Sequence, residues 1–214
     1  MTEPVIGAQV PRRGNGLTRW LGIWLLKLIG WRIVGQLPNV PKAVVIGAPH
    51  TSNYDGIVAA GVILALQVRI TLMAKSSLFR GPLGPLVRWL GCIPIRRDSR
   101  EGVVAQTLAA FDAHPQLFLG LAPEGTRHAA TAFRSGFYHI AEQGQLPIVV
   151  AVIDYGRKEL RFADCFVPSG DQQADFVRIF EHYRHVTPRH PARLSAPLKA
   201  LSETDINTAT RNQP

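Results

Sequence analysis

The sequence predicts an α/β fold in a single domain, with a mixed, largely parallel sheet flanked by helices, and three observations lead there. Short apolar runs alternate with helical periods from Pro41 to about Arg184, the order expected of a sheet covered by helices. The 214 residues suffice for one proper core and do not call for a second. A content of 46% hydrophobic and 18% charged residues excludes a largely disordered chain.

Residues 1–40 form an N-terminal region. In it Leu17, Trp20, Leu21, Trp24, Leu25, Leu28 and Trp31 recur at three- and four-residue steps, with Thr18, Arg19, Lys27 and Arg32 interleaved. That is an amphipathic helix. Three of the four tryptophans beside basic residues suit a helix lying in the headgroup layer, although the same period fits a helix packed on its own core. Arg12 and Arg13 precede this stretch as in a signal peptide, but Arg19, Lys27 and Arg32 interrupt it and no small-residue cleavage site follows. The expectation is neither a cleaved signal nor a spanning helix, which needs about 18 uncharged residues.

Residues 41–185 carry the predicted domain. Strands are expected at 43–48, 69–74, 92–96, 117–122, 148–154 and 159–166, and helices at 55–66, 84–90, 101–113, 135–143 and 171–184. Residues 186–214 hold several prolines and small polar residues without a sustained period. They read as an extended or flexible tail that either frays or wraps the surface.

The formal charge of +9 and a pI near 10.3 imply an anionic partner, whether nucleic acid, an anionic bilayer or a phosphate-bearing substrate. Seven basic residues between positions 69 and 100 face one acid, Asp98. No nucleic-acid motif accompanies them and no aromatic residues interleave with them in the pattern of a single-strand binder, so nucleic acid is not expected. Cys92 and Cys165 show no CxxC or Cys/His spacing and read as buried, reduced thiols.

Two segments have the residues for chemistry. Ala48-Pro49-His50-Thr51-Ser52-Asn53-Tyr54-Asp55 follows a strand and opens a helix. His50 and Asp55 can curl within one loop so that the carboxylate takes the proton of one ring nitrogen and leaves the other free as a base; alternatively Asp55 is a helix N-cap and His50 an ordinary loop histidine. Leu121-Ala122-Pro123-Glu124-Gly125-Thr126-Arg127 also follows a strand. There Gly125 permits a tight turn and Arg127 can offer a planar fork to a phosphate, whereas a plain turn with a Glu–Arg ion pair is the competing reading. No further Cys, His or acidic residues stand nearby at metal-ligand spacing, so no metal is expected.

Together these segments resemble the 1-acylglycerol-3-phosphate (lysophosphatidate) acyltransferase family of the glycerolipid acyltransferase superfamily. His50 and Asp55 match its His-x4-Asp motif, Ile93 to Arg97 its second block, Glu124 to Arg127 its Glu-Gly-Thr-Arg block, and Leu146 to Val149 its proline-led fourth block. Ala122 departs from the bulky aromatic that many members place before that third block, and Val150 from a second proline in the fourth. The resemblance implies a glycerol-3-phosphate acyltransferase-like fold with His50 as general base and Asp55 holding its tautomer. It implies that Glu124, Gly125, Thr126 and Arg127 bind the glycerol phosphate, with Arg97 and Lys75 adding to the pocket. The acyl group would come from acyl-CoA or acyl carrier protein, without another cofactor, and would pass directly to a lysophospholipid at the cytoplasmic face of the cell membrane, the protein being peripheral or monotopic. Another lysolipid acceptor, or a catalytically silent lipid-binding relative, fits the same motifs.

Overall fold

Strand β2 (Lys42–Ala48) sets the architecture, because its side chains are buried on both faces. Val44, Ile46 and Ala48 join one apolar cluster while Ala43 and Val45 join another, the pattern of a central parallel strand covered on both sides. The computed structural model describes residues 5–80, 82, 84–89, 91–96 and 102–201. In chain order the other strands are β1 (Arg32–Gly35), β3 (Ile70–Lys75), β4 (Ile93–Ile95), β5 (Leu117–Leu121), β6 (Ile148–Asp154) and β7 (Glu159–Phe166). They form one sheet in the order β1-β7-β6-β2-β5-β3-β4. Pairing is parallel except between β6 and β7.

Helices α1 (Gly16–Ile29) and α2 (Tyr54–Leu66) cover one face. Helices α4 (Gly102–Ala113), α5 (Gly136–Gln143) and α6 (Gln172–Glu181) cover the other. The short α3 (Gly84–Trp89) precedes β4. The fold class therefore matches the expectation, and the predicted boundaries hold to within three residues. β1 was not anticipated, because it hides in the apolar stretch that also forms α1. Gly30, in the left-handed region at φ 72°, ends that helix and turns Trp31 into the core.

Three further expectations change. Trp31 is 6% exposed and lies edge-on to Tyr155, so it does not belong to the open face of α1. Cys165 is exposed and Cys92 half-buried, so neither thiol is sealed in a core. The segment after α6 does not fray over its described part: Tyr155 N–H donates to Thr187 O at 2.9 Å, Ala196 N–H donates to Ala130 O at 2.8 Å, and Leu194 and Leu198 enter the core. Among the described residues no helix is long and apolar enough to cross a membrane.

Candidate active site

Sheet register brings the chemistry together. Ile46 of β2 stands opposite Leu121 of β5 on one side and Val150 of β6 on the other, all running the same way. The chain therefore leaves the carboxyl ends of three neighbouring strands at His50, Glu124 and Tyr155, the end where open α/β sheets place their sites.

His50 faces Asp55 with Nδ1 3.0 Å from Oδ2, and that same oxygen accepts the backbone N–H groups of Thr51 and Ser52 at 2.9 Å each. The other oxygen, Oδ1, accepts the hydroxyl of Tyr155 at 2.5 Å. Asp55 lies in the first turn of α2, whose N-cap is Asn53, so the N-cap reading of Asp55 does not hold. Burial alone would raise its carboxyl, but the hydrogen bonds from His50, Tyr155 and Ser52 prevail and hold it below 3.8. An ionised Asp55 fixes the proton of a neutral imidazole on Nδ1, which leaves Nε2 with its lone pair. Burial and the same carboxylate push the Tyr155 phenol far above its ordinary range, so it stays a neutral donor.

The Glu-Gly-Thr-Arg turn meets this loop directly. Gly125 takes φ +65° and its N–H bonds Ala122 O at 2.9 Å, closing a turn that glycine adopts without strain. Glu124 is 2% exposed, and its Oε2 accepts the backbone N–H of His50 at 2.5 Å. Burial pushes the Glu124 carboxyl above 4.5, while the His50 amide and the nearby Ser195 oppose that rise. Glu124 Oε1 and Ser195 Oγ are both buried without a hydrogen bond in normal geometry, and a small rotation of either group would let the hydroxyl donate.

This arrangement divides the residues expected to grip a phosphate. Arg127 is exposed and bonded to Asn53 Oδ1, within reach of a ligand, whereas Glu124 is turned inward and ties one loop to the other. Glu124 Oε2 is taken by the His50 amide and its Oε1 is buried without a partner among the described residues. Thr126 is half-buried and its Oγ1 accepts the His128 N–H at 3.2 Å. Lys75 ends β3 at the same edge of the sheet, and Arg97 lies outside the described residues. Surface hollows of about 350 and 460 Å³ open elsewhere, and neither is lined by His50, Asp55 or Glu124. Among the described residues no group of three or more His, Cys, Asp or Glu converges to hold a metal.

Sequence reasoning missed Tyr155 and the arginines that follow α6. Its one available signal for Tyr155 was position: a tyrosine one residue past a buried strand parallel to the histidine's own.

The sequence profile of the family described as Acyltransferase matches residues 32–154, more than half of the chain. The chain belongs to the acyltransferase family. Proteins named 1-acyl-sn-glycerol-3-phosphate acyltransferase alpha, from Mus musculus and Homo sapiens, are each 32% identical to it over 140 residues, covering 58% of this chain. The match spans 46% of each of those longer acyltransferases. The crystal structure of PlsC, the 1-acyl-sn-glycerophosphate (LPA) acyltransferase of Thermotoga maritima, shares the fold with a TM-score of 0.53 at 14% identity. That likeness covers 92% of this chain and 80% of the other.

Proposed function

We propose that this member of the acyltransferase family moves a fatty acyl group from a thioester, acyl-CoA or acylated carrier protein, to the hydroxyl of a lysophospholipid of the 1-acylglycerol-3-phosphate type. The observation that carries the reading is the His50–Asp55 pair at 3.0 Å with the Glu124 carboxylate on the His50 amide, which makes the two motif loops one site.

In this reading His50 Nε2 takes the proton of the acceptor hydroxyl as its oxygen attacks the thioester carbonyl. The tetrahedral intermediate then expels the thiolate, which recovers the proton from the imidazolium, so the products are an ester and a free thiol. Asp55 keeps Nδ1 protonated and stabilises the charged ring in between. Transfer is direct, and no serine is acylated. Arg127 meets the phosphate of the acceptor. The exposed Leu17, Trp20, Leu21, Trp24 and Leu28 of α1 seat the protein peripherally on the bilayer that supplies the lysolipid, at the cytoplasmic face.

The test is incubation of the purified protein with a panel of lysolipids and isotope-labelled acyl thioesters, the products being identified by mass. The expected product is the diacyl lipid, lost about 100-fold or more in His50→Ala at unchanged fold, as removal of a general base requires. Full activity in His50→Ala would end the proposal.

A further inference from the structure

The segment after α6 lies across the active-site loop. The backbone N–H of His190 donates to Thr51 Oγ1 at 3.3 Å, and Arg193 Nη1 donates to the carbonyl of Thr51 at 3.3 Å, one residue beyond His50. The Arg189 guanidinium sits 4.2 Å from the ring centre of Tyr54 and 5.8 Å from that of Tyr155, the tyrosine that holds Asp55. The path of this segment is fixed by burial of Pro188, Leu194 and Ser195.

Its charges are uncompensated. Arg32, Arg178 and Arg184 elsewhere on the surface pair with Glu159, Asp164 and Glu181. Among the described residues Arg127, Arg134, Arg189 and Arg193 pair with no carboxylate, yet all four touch or overlie the loop of His50 or the turn of Glu124. The two carboxylates at the site, Asp55 and Glu124, are buried, Asp55 bonded to His50 and Glu124 Oε2 to the His50 amide. Guanidinium groups without a carboxylate partner beside the active-site loop, with aromatic rings restricting one of them, offer forks suited to a phosphate.

We infer that Arg189 and Arg193 form a second phosphate-binding edge of the active site, contributed by the segment at 188–195. The inference rests on the acyl-transfer reading for the identity of the substrate. The phosphate belongs either to the acceptor or to the phosphate-bearing arm of the donor, and the two are distinguishable. Arg189 and Arg193 then bind substrate, while Tyr54 and Thr51 position them.

The test uses Arg189→Gln and Arg193→Gln in the full-length protein, with Arg189→Lys as a charge-retaining variant and thermal melts to establish that each is folded. KM is measured for 1-oleoylglycerol 3-phosphate and for oleoyl-CoA, with monooleoylglycerol and a phosphate-free N-acetylcysteamine thioester as controls. A rise of about tenfold or more for one phosphate-bearing substrate, larger than the change in kcat and milder in Arg189→Lys, is expected for loss of a charged hydrogen bond. If the acceptor's KM rises the edge serves the acceptor; if that of oleoyl-CoA rises it serves the donor. Unchanged KM for both in an active enzyme overturns the inference. Should the wild type transfer no acyl group, the acyl-transfer reading fails and calorimetric titration with 1-oleoylglycerol 3-phosphate and with coenzyme A decides: about tenfold weaker binding by the glutamine variants supports the edge, and equal or absent binding overturns it.

Discussion

Asp55 receives its hydrogen bonds from four residues, His50, Thr51, Ser52 and Tyr155, and Tyr155 supplies the one that reaches Oδ1. Removing that hydroxyl leaves the ring packed against Trp31 but takes a donor from a buried carboxylate. Because the folded carboxyl lies below 3.8, Asp55 contributes stability that is present above that value and is lost as pH falls through its folded pKa. Tyr155→Phe moves the folded value back up and shrinks the contribution. The variant should be less stable at pH 7 by about 1–3 kcal/mol, the scale of a hydrogen bond to a charged group, with the gap narrowing toward pH 3. Urea unfolding at both pH values checks this, and a gap of equal size at each would place the hydroxyl's effect elsewhere. Glu124 belongs to the same scale. Its motif identified it as a site residue, yet only its burial showed that one of its oxygens braces the His50 amide.

At the scale of elements, α1 packs one face on its own core and leaves the other exposed. Gly22 and Leu26 face α2, and a Cβ at Gly22 would collide with the backbone of Ala65 and Gly61, so the helices cross closely only because glycine stands there. The opposite face exposes Leu17, Trp20, Leu21, Trp24 and Leu28, with Trp20 and Trp24 stacked at 6.5 Å. Deleting the whole N-terminal region would also remove β1 from its pairing with β7, so loss of binding after such a cut would not isolate the helix face. The double variant Trp20→Ser/Trp24→Ser does isolate it. Each tryptophan is more than half exposed, so the melting temperature should hold. Affinity for vesicles containing phosphatidylglycerol should fall about tenfold or more, since a large apolar side chain contributes roughly 1.5–3 kcal/mol when buried. Unchanged sedimentation with vesicles would count against an interfacial face.

For the molecule as a whole, residues 186–201 close the fold. Leu194 and Leu198 are 8% and 3% exposed, and burial of two such side chains contributes about 3–6 kcal/mol. Total stabilities of single domains are only about 5–15 kcal/mol. Truncation after residue 185 should therefore leave a protein that melts far below the full chain or does not fold, as calorimetry would show. A truncated protein with an unchanged melting curve would mean that the segment is an appendage.

The sequence by itself determined the motif loops and the elements other than β1. Alternating apolar runs can be buried only as covered strands and amphipathic helices, and His50, Asp55 and Glu124 sit beside strand ends in segments that the family resemblance marks. Tertiary structure alone decided what reaches those loops from a distance. Tyr155 arrives because β6 lies beside β2, Arg189, Arg193 and Ser195 arrive because Leu194 and Leu198 anchor the last segment, and Glu124 turns inward because β5 flanks β2 on the other side. Such contacts depend on sheet order and on which distant apolar side chains share a core. Neither leaves a periodic trace along the chain.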